Sequence, residues 1–420
     1  MPAPSRKRLV IVGGGFGGLA AAQSLNTAPV DIVLIDRTNH HLFQPLLYQV
    51  ATAALSPSDI AWPLRTTFRS QSNVRIVMDE VRGIDPNERV VQMLQGPSIP
   101  FDVLILAPGA RHSYFGHREW EPHAPGLKTL ADALELRERL LLVFEESVRR
   151  QQTAETTANL TFVIVGGGPT GVELAGALAE IGFKAMRPDF PSLPWDNLRI
   201  LLVEGGERIL PGFSPALSAK ATSALERMGV TVLVKTMVQD VKAGAVVIGD
   251  QLIEAAHMIW AAGNRASPLL ESLNVPLDPS GRAKVRTDLT IPNDPWLFVI
   301  GDAAHAAGKD GTPLPGLAPV AMQQGRYVAG LIKKHTPPER RPPFVYADRG
   351  MLATIGRAKA VAESGPFRVS GLFAWLLWCA VHIFFLIGFR NRVRVMSEWM
   401  WYYLTFKPGA RLIYWKQRNI

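Results

Sequence analysis

The sequence predicts an α/β fold with two similar doubly wound domains and a helical C-terminal region. Three observations support this prediction. An apolar run followed by a glycine-rich turn stands near the N-terminus, the same unit begins again at Phe162, and residues 366–420 are rich in aromatic and basic side chains. A supersecondary unit that occurs twice indicates two related sites rather than one.

The first unit runs from Leu9 to Asp36 and has the pattern of a dinucleotide-binding strand, turn and helix. The residues expected to contact the nucleotide are Gly13, Gly15, Phe16, Gly17, Gly18, Asp36 and Arg37. A signal peptide is the alternative interpretation, because three basic residues precede the apolar run. The acid at the end of the second strand completes the nucleotide unit and favours the first interpretation.

Each glycine of this turn has a different expected role. Gly13 permits the tight turn, Gly15 lets the backbone approach a pyrophosphate, and Gly18 lets the helix pack close to the strand. The amide groups at the start of the helix face the phosphates, where the helix dipole favours negative charge. Asp36 is placed to accept hydrogen bonds from an adenosine ribose.

The second unit repeats this pattern from Phe162 to Glu204. Its expected nucleotide contacts are Gly166, Gly168, Pro169, Thr170, Gly171 and Glu204. A carboxylate at the end of the second strand binds a ribose 2′-hydroxyl and repels a 2′-phosphate, so NADH is favoured over NADPH. Arg208 nearby leaves some use of NADPH open.

Three later strands end in small residues and extend both sites. The strand before Gly109 and the strand before Gly263 are expected to leave each domain close to a bound cofactor, and Ala107 and Ala262 belong to these turns. A further strand ends in Gly301-Asp302 and implies that the chain returns to the first domain. Asp302 then accepts a hydrogen bond from flavin ribityl hydroxyls, unless it only forms a turn. The sequence therefore predicts a flavoprotein with FAD in the first unit and a nicotinamide cofactor in the second.

Charge and cysteine content narrow the functional classes. The formal charge is +9, and eight basic residues against the single acid Glu398 place +7 of it from residue 366 onward. A basic, aromatic tail favours a membrane surface over nucleic acid as partner. The only cysteine is Cys379, which excludes an internal disulfide and a redox dithiol. Its expected role is apolar packing.

The tail allows three interpretations. Gly371–Phe389 is nineteen residues long with His382 as its only strongly polar side chain, and three arginines follow closely. Two helices lying in the membrane interface are favoured, because the second segment mixes apolar, aromatic and basic residues. A membrane-spanning helix and a buried helix with a dimer face are the alternatives.

The domain boundaries follow from these elements. A helix from Thr129 to Gln152 with a capping box is predicted, then a polar linker at 153–159 and a proline-rich loop at 187–196 of unassigned role. The predicted FAD domain has two parts, residues 1–115 and 285–365. The predicted NADH domain, with a linker helix, lies between them at 116–284, and the membrane-associated region follows at 366–420.

These features together resemble the type II NADH:quinone oxidoreductases. The resemblance rests on both glycine turns, the run GGGPTGVE at 166–173, Gly301-Asp302, the run APVAMQQG at 318–325 and the tail. It implies a glutathione-reductase-like pair of Rossmann domains with a C-terminal amphipathic helical membrane anchor. It further implies FAD and NADH as cofactors, a membrane quinone as acceptor and no proton pumping. A homodimer, peripheral on the cytoplasmic side of the cell inner membrane, is expected.

The resemblance also implies roles for particular residues. Gln323 and Gln324 are expected beside the flavin, donating hydrogen bonds to a quinone carbonyl, and Glu173 is expected to assist proton delivery or nicotinamide placement. The alternative for Glu173 is an acid that stabilises a helix N-terminus. Further flavin contacts are expected from Gln44, Pro45 and Ala321. Pro319 stands where some members have another glutamine, so that contact is absent.

Other functions remain open at this stage. A soluble flavin reductase would use the basic tail to dock an acidic redox protein such as a ferredoxin or rubredoxin. A redox-sensing flavoprotein and a biosynthetic quinone reductase are further alternatives. Disulfide reductases and sulfide:quinone oxidoreductases are excluded because they need a cysteine pair near the flavin.

Overall fold

The computed structural model describes residues 6–153, 159–405 and 409–413. The chain forms two compact units. The first comprises the described residues within 1–42, 61–111 and 264–349, and the second those within 43–60, 112–263 and 350–420. These limits differ from the predicted boundaries. Residues 43–60 and 350–365 group with the second unit instead of the first, and residues 264–284 group with the first instead of the second.

Ten α-helices occur within the described residues. They are α1 Phe16–Ser24, α2 Leu47–Ala51, α3 Pro57–Ile60, α4 Leu64–Thr67, α5 Leu130–Gln152, α6 Pro169–Glu180, α7 Pro215–Glu226, α8 Ala318–Lys333, α9 Leu372–Phe385 and α10 Phe389–Thr405.

The strands are short, and most belong to small sheets around two larger ones. They are β1 Lys7–Val12, β2 Val30–Asp36, β3 His40–Leu42, β4 Ala61–Pro63, β5 Val74–Met78, β6 Val81–Asp85, β7 Val90–Met93, β8 Ile99–Pro100, β9 Val103–Leu106, β10 Ala110–His112, β11 Thr161–Val165, β12 Arg199–Val203, β13 Val230–Leu233, β14 Val238–Lys242, β15 Ala245–Ile248, β16 Gln251–Glu254, β17 His257–Trp260, β18 Asn264–Ala266, β19 Ala283–Lys284, β20 Thr290–Ile291, β21 Asp294–Val299, β22 Ala304–His305, β23 Met351–Gly356, β24 Lys359–Ser364 and β25 Phe367–Gly371.

The first unit is built on a six-stranded sheet in the order β20-β21-β9-β1-β2-β5. All neighbouring pairs are parallel except β20 with β21. The last four residues of β1 are buried, as expected for a strand covered on both faces. Helices α1 and α8 pack closely against each other, because a Cβ at Gly325 would lie 2.3 Å from the carbonyl oxygen of Gly17.

The second unit repeats the arrangement with four parallel strands in the order β13-β12-β11-β17. A three-stranded antiparallel sheet, β14 to β16, packs its apolar face into the same core. Helix α5 begins with the predicted capping box. Thr129 Oγ1 accepts from the Asp132 amide at 3.1 Å, and the Asp132 carboxylate accepts from the Thr129 amide at 2.9 Å. Most of the predicted linker, residues 154–158, lies outside the described residues.

Residues 350–405 form an antiparallel sheet, β23 to β25, followed by α9 and α10. Helix α9 ends at Phe385, earlier than the predicted nineteen-residue segment, because Leu386 adopts an extended backbone and Gly388 a positive φ of 85°. No helix within the described residues combines the length and apolar character that crossing a bilayer requires. Trp378 and Trp399 are buried, whereas Phe373 is 76 % exposed. The predicted interface residue Trp415 lies outside the described part of the chain.

Candidate nucleotide-binding sites

The first glycine turn is held by main-chain contacts within the first unit. The Gly13 amide donates to the carbonyl of Ile35 at 2.8 Å, and a Cβ at Gly13 would lie 2.1 Å from the carbonyl oxygen of Ala107. Its φ of +102° also favours glycine. A Cβ at Gly18 would lie 1.9 Å from the Gly13 carbonyl, so the helix can approach the strand only without a side chain there.

Gly15 differs from its neighbours because space, and not packing, surrounds it. A Cβ built on Gly15 meets no protein atom within 4 Å, and its backbone is extended. Within the described residues, no side chain caps the start of α1, whereas Thr129 caps α5. The start of α1 therefore has amides without intrahelical acceptors next to open space, which is the arrangement that binds a phosphate.

Asp36 is fixed at the end of β2 by three hydrogen bonds. Its carboxylate accepts from the Gly14 amide at 2.6 Å and from the amide and hydroxyl of Thr38, both at 2.7 Å. A carboxylate has about four acceptor positions, so one remains for a ribose hydroxyl. Arg37 is exposed directly after it. Phe16 packs edge to face on the ring of His41, at 5.0 Å between ring centroids.

The second glycine turn reproduces this geometry within the second unit. The Gly166 amide donates to Val203 at 2.8 Å, and a Cβ at Gly171 would lie 1.8 Å from the Gly166 carbonyl. A Cβ at Gly168 meets nothing within 4 Å, and among the described residues α6 also begins without a side-chain cap. Pro169 occupies the first helical position, where a missing N–H costs nothing, and Thr170 follows it.

Glu204 occupies the position that corresponds to Asp36. Its two carboxylate oxygens accept from the amides of Gly167 and Gly206, each at 2.6 Å. Arg208 is turned into its own loop, where its guanidinium donates to the carbonyls of Pro211 and Phe213 at 2.9 and 3.2 Å. The cation that left NADPH use open in the sequence is therefore engaged by the main chain.

Small residues after the third parallel strand complete each turn. Gly109 and Gly263 both have a φ of +71°, which glycine adopts most readily. Gly109 faces open space, whereas a Cβ at Gly263 would lie 2.7 Å from the ring of Phe115. Ala107 packs under the first glycine turn, and Ala262 contacts the second, since its nitrogen would lie 2.7 Å from a Cβ at Gly166.

The strand that ends at Gly301-Asp302 lies beside β9 in the first unit, as the return of the chain predicted. Within the described residues, no protein group donates a hydrogen bond to the Asp302 carboxylate, which leaves it available to a ligand. Ala321 is buried and packs against both Gly301 and Gly17. It lies behind the turn and supports it.

The two glutamines of α8 are engaged by main-chain groups. Gln324 is 1 % exposed, and its Oε1 accepts from the Gly301 amide at 2.7 Å. Gln323 donates to the carbonyl of Ala347 and accepts from its amide, both at 3.0 Å. In this state the Gln323 amide is paired with backbone on both sides, so donation to a quinone requires that pairing to open.

The segment predicted to contact flavin lies in the second unit. Gln44 is exposed and donates to the carbonyl of Lys128 at 3.1 Å, and Pro45 is the middle residue of a short 3₁₀ turn at Gln44–Leu46. Leu46, Leu47 and Tyr48 are buried. Packing in the second unit therefore explains the apolar character of these three residues.

Glu173 stands in the first turns of α6, five residues after Gly168. Burial raises the pKa of its carboxyl well above the usual range, and a hydrogen bond from the Thr354 backbone opposes this only in part. The raised pKa favours the protonated form of this acid more than in a free glutamate. Both roles of Glu173, at the nicotinamide or as an acid at a helix N-terminus, stay predictions.

The sequence missed two side chains that support these sites. His41 is buried and its Nδ1 lies 2.9 Å from the Gly14 carbonyl, which fixes the first turn from below. Glu180 lies two helical turns after Glu173 on the same face of α6. Burial raises its pKa, and it accepts from the Arg357 amide at 2.5 Å. The spacing of seven residues between the two glutamates was the available signal.

The residues present fit FAD and NADH. Each unit has one helix start open to a pyrophosphate at Gly15 or Gly168, and one carboxylate with acceptor capacity left for a ribose. The first unit has in addition the unengaged carboxylate of Asp302. Among the described residues, no group of three or more His, Cys, Asp or Glu side chains could hold a metal ion.

Comparison with known proteins identifies the class first. Residues 7–325 match the pyridine nucleotide-disulphide oxidoreductase family, and residues 349–406 match the NDH2 C-terminal domain. The solved structure of NDH2 from Plasmodium falciparum in complex with NADH has a TM-score of 0.88 and 20 % identity, covering 96 % of this chain and 99 % of that one. Sulfide:quinone oxidoreductase from Aquifex aeolicus aligns with a TM-score of 0.72 and 18 % identity over 92 % of each chain. These likenesses confirm the predicted α/β fold.

The particular family follows from sequence identity. The chain is 41 % identical to the type II NADH:quinone oxidoreductase Ndh of Mycobacterium tuberculosis, covering 98 % of this chain and 91 % of the relative. A probable NADH dehydrogenase of Dictyostelium discoideum is 30 % identical over 94 % of this chain and 89 % of its own. The chain belongs to the type II NADH:quinone oxidoreductase family, which confirms the resemblance stated from its motifs.

Proposed function

We propose that this enzyme oxidises NADH and transfers the electrons through FAD to a membrane quinone, without pumping protons. The observation that carries the proposal is the duplicated site. Two helix starts face open space next to two carboxylates, in a chain whose only cysteine cannot form a redox dithiol. Bound FAD supplies the chemistry by accepting a hydride from NADH and releasing two electrons to the quinone.

The protein binds and orients the two cofactors. The start of α1 and Asp36 hold the adenosine diphosphate part of FAD, and Asp302 accepts from its ribityl chain. The start of α6 and Glu204 hold NADH. Glu204 excludes a 2′-phosphate by charge, and Arg208 does not compensate because its guanidinium is held by loop carbonyls.

The reaction consumes one proton from solvent, since NADH, a proton and a quinone give NAD⁺ and a quinol. Glu173 is a side chain suited to hold that proton near the second site, because burial raises the pKa of its carboxyl. Gln324 holds the Gly301 turn in place. Gln323 supplies a donor to the quinone when its pairing with Ala347 opens.

The tail provides the membrane surface in this proposal. Many apolar side chains on α9 and α10 are exposed to solvent. Phe373, Phe384 and Phe389 are each more than two thirds exposed. Exposed Arg390 lies beside them, an arrangement suited to the headgroup layer. The enzyme is peripheral, on the cytoplasmic face of the inner membrane, and works as a homodimer. The bilayer supplies the quinone.

Titration of the purified enzyme tests the proposal directly. We expect a yellow protein whose flavin absorbance is bleached by NADH and recovers when a quinone is added in the absence of oxygen. Adding a ferredoxin or rubredoxin in place of the quinone tests the alternative function, that of a soluble flavin reductase. Bleaching that only the redox protein reverses would reject quinone as the acceptor.

A further inference from the structure

One cavity of the second unit has no role in the reaction described above. It has a volume of about 430 Å³ and lies between α7 and the hairpin of β23 to β25. Three cations line it, namely Lys220 and Arg227 from α7 and its C-terminus and Lys359 from β24. Among the described residues that line it, none is acidic. Ser223 and Ser370 add hydroxyl groups.

The cations of this cavity are not neutralised by neighbouring acids. Within the described residues, neither Arg227 nor Lys359 forms a salt bridge, and Lys220 donates only to the Ser370 hydroxyl at 3.1 Å. Burial lowers the pKa of Lys359, and the like charges of Lys184 and Arg227 lower it further, against a smaller opposite effect of Glu180. Clustered like charges without partners favour an anion between them.

Two other cations of the second unit are each paired with an acid. Lys235 lies 2.7 Å from Glu207, and Arg368, on β25 of the same hairpin, lies 2.8 Å from Glu363. The cavity differs in that three cations line it without an acid among its described lining residues.

The cavity lies where the polar hairpin meets the apolar tail. Gly371 lines it and is also the residue that precedes α9. The first residues of that helix, Leu372 and Phe373, are 51 % and 76 % exposed. A molecule with an anionic head and apolar chains would place its head among the cations and its chains along α9.

We propose that this cavity binds a phosphate group, carried by an anionic phospholipid of the membrane on which the tail lies. Arginine, lysine and hydroxyl donors match the oxygens of a phosphate diester, and the volume is in the usual range of small-molecule sites. The lipid as source of the phosphate rests on the membrane association proposed above. The phosphate site itself rests on the cavity and its cations.

Vesicle flotation at constant ionic strength tests the lipid. The full-length holoenzyme is compared with the double variant Arg227→Gln/Lys359→Gln, on phosphatidylcholine vesicles with and without phosphatidylglycerol. Each basic residue near an anionic surface contributes about a five-fold change in binding, so the double variant is expected to lose about 25-fold of the preference for the anionic vesicles. The control variant is Arg199→Gln/Lys242→Gln, which also removes two positive charges, from exposed positions of the second unit outside the cavity and the tail.

Competition separates a defined site from diffuse attraction. Inorganic phosphate, exchanged for chloride at constant ionic strength, is expected to weaken anionic-vesicle binding of the wild type and of the control variant, and to leave binding by Arg227→Gln/Lys359→Gln unchanged. Unchanged flavin content and unchanged NADH oxidation with a water-soluble quinone show that the variants are folded. A wild type that is insensitive to phosphate, or retention of the full preference by Arg227→Gln/Lys359→Gln, overturns the proposal.

Calorimetric titration with inorganic phosphate alone distinguishes the two sources. Phosphate binding that the double variant abolishes, together with a vesicle preference that it also abolishes, supports the lipid. Phosphate binding without any vesicle preference overturns the lipid as source and leaves a site for free phosphate. If the wild type floats with no vesicles at all, the membrane association fails, whereas turnover with a water-soluble quinone still tests the enzymatic part separately.

Discussion

Helices α1 and α6 start from glycine turns whose contacts agree closely. Gly13 and Gly166 donate to the neighbouring strand at the same 2.8 Å, and Gly18 and Gly171 leave similar room for the preceding carbonyl. The helices differ two residues after Gly18 and Gly171, the last glycines of the turns. The first has the buried Ala20, where the second has Glu173. The turns agree closely, and the side chain two residues beyond the last glycine is one chemical difference between the two sites.

The acids at the two sites differ in how many further hydrogen bonds they can accept. Asp36 already accepts three hydrogen bonds from protein, and Glu204 accepts two. With about four acceptor positions on a carboxylate, Glu204 can receive both ribose hydroxyls and Asp36 only one. A tightly fixed acid suits a resident cofactor, and a less engaged acid suits one that exchanges in every turnover.

The largest expected effect separates the two sites by their open glycines. Gly15→Val and Gly168→Val both place a side chain where no protein atom lies, on an extended backbone that valine adopts, so both variants should fold. Gly15→Val is expected to purify without FAD. Gly168→Val should keep its bound FAD and its yellow colour. The rate at which NADH bleaches its flavin should fall by about 100-fold, because a displaced pyrophosphate misplaces the nicotinamide.

Flavin absorbance and stopped-flow bleaching measure these outcomes. Gly18→Ala is the contrasting variant, since its Cβ would lie 1.9 Å from a carbonyl oxygen and should prevent folding. Retention of FAD by Gly15→Val would show that the first helix start does not hold the pyrophosphate.

Glu173→Gln tests the side chain that distinguishes the helices. It keeps the size of the half-buried side chain and removes its exchangeable acid proton, so turnover with quinone should fall by about 100-fold while flavin content stays constant. Steady-state rates with a water-soluble quinone measure this. An unchanged rate would leave only a structural role for the residue.

Stability against pH gives a second measure of the same glutamate. Its folded pKa is raised above the unfolded value of 4.5, so the native state binds more protons between these two values. Stability is therefore full below about pH 4.5 and falls as pH rises through the raised pKa. Glu173→Gln is expected to flatten this decline in denaturant titrations, and the remaining slope should reflect Glu180, whose pKa is shifted in the same direction. A decline of unchanged slope in the variant would contradict the assignment.

Glu204→Gln is expected to have a moderate effect. The loss of a charged acceptor should raise the KM for NADH by about ten-fold, and the KM for NADPH should change less because a repulsion is removed at the same time. Arg208→Gln is the control and should leave both constants unchanged, since the native guanidinium is held by loop carbonyls. An NADH constant that stays the same would reject the second unit as the NADH site.

The smallest expected effect is on the stability contributed by helices α9 and α10 of the tail, which have no counterpart among the described residues of the first unit. Trp399 donates to Gln49 at 2.7 Å in a buried contact, and Trp399→Phe leaves that acceptor unpaired at a cost of about 1–3 kcal/mol. The thermal midpoint of unfolding should fall by a few degrees. Trp401→Phe, at a position 57 % exposed, should not change it. Equal effects would mean that the tail does not pack as described.

The sequence predicted the parts of this fold that depend on local spacing. The glycine turns, the acids after the second strands and the capping box of α5 follow from residues a few positions apart. Gln323 and Gln324 could not be read in this way, because their partners Ala347 and Gly301 lie more than twenty residues away. The assignment of 43–60 to the second unit likewise depends on packing that leaves no periodic pattern.

Cys379 has a practical consequence. Burial raises the pKa of its thiol to about 12, so almost none of it is thiolate at neutral pH. Thiolates, not thiols, react with alkylating reagents. Cys379 is the sole sulfhydryl of the polypeptide. Its rate of labelling by an alkylating reagent therefore reports how often the C-terminal helices open, without any engineered probe.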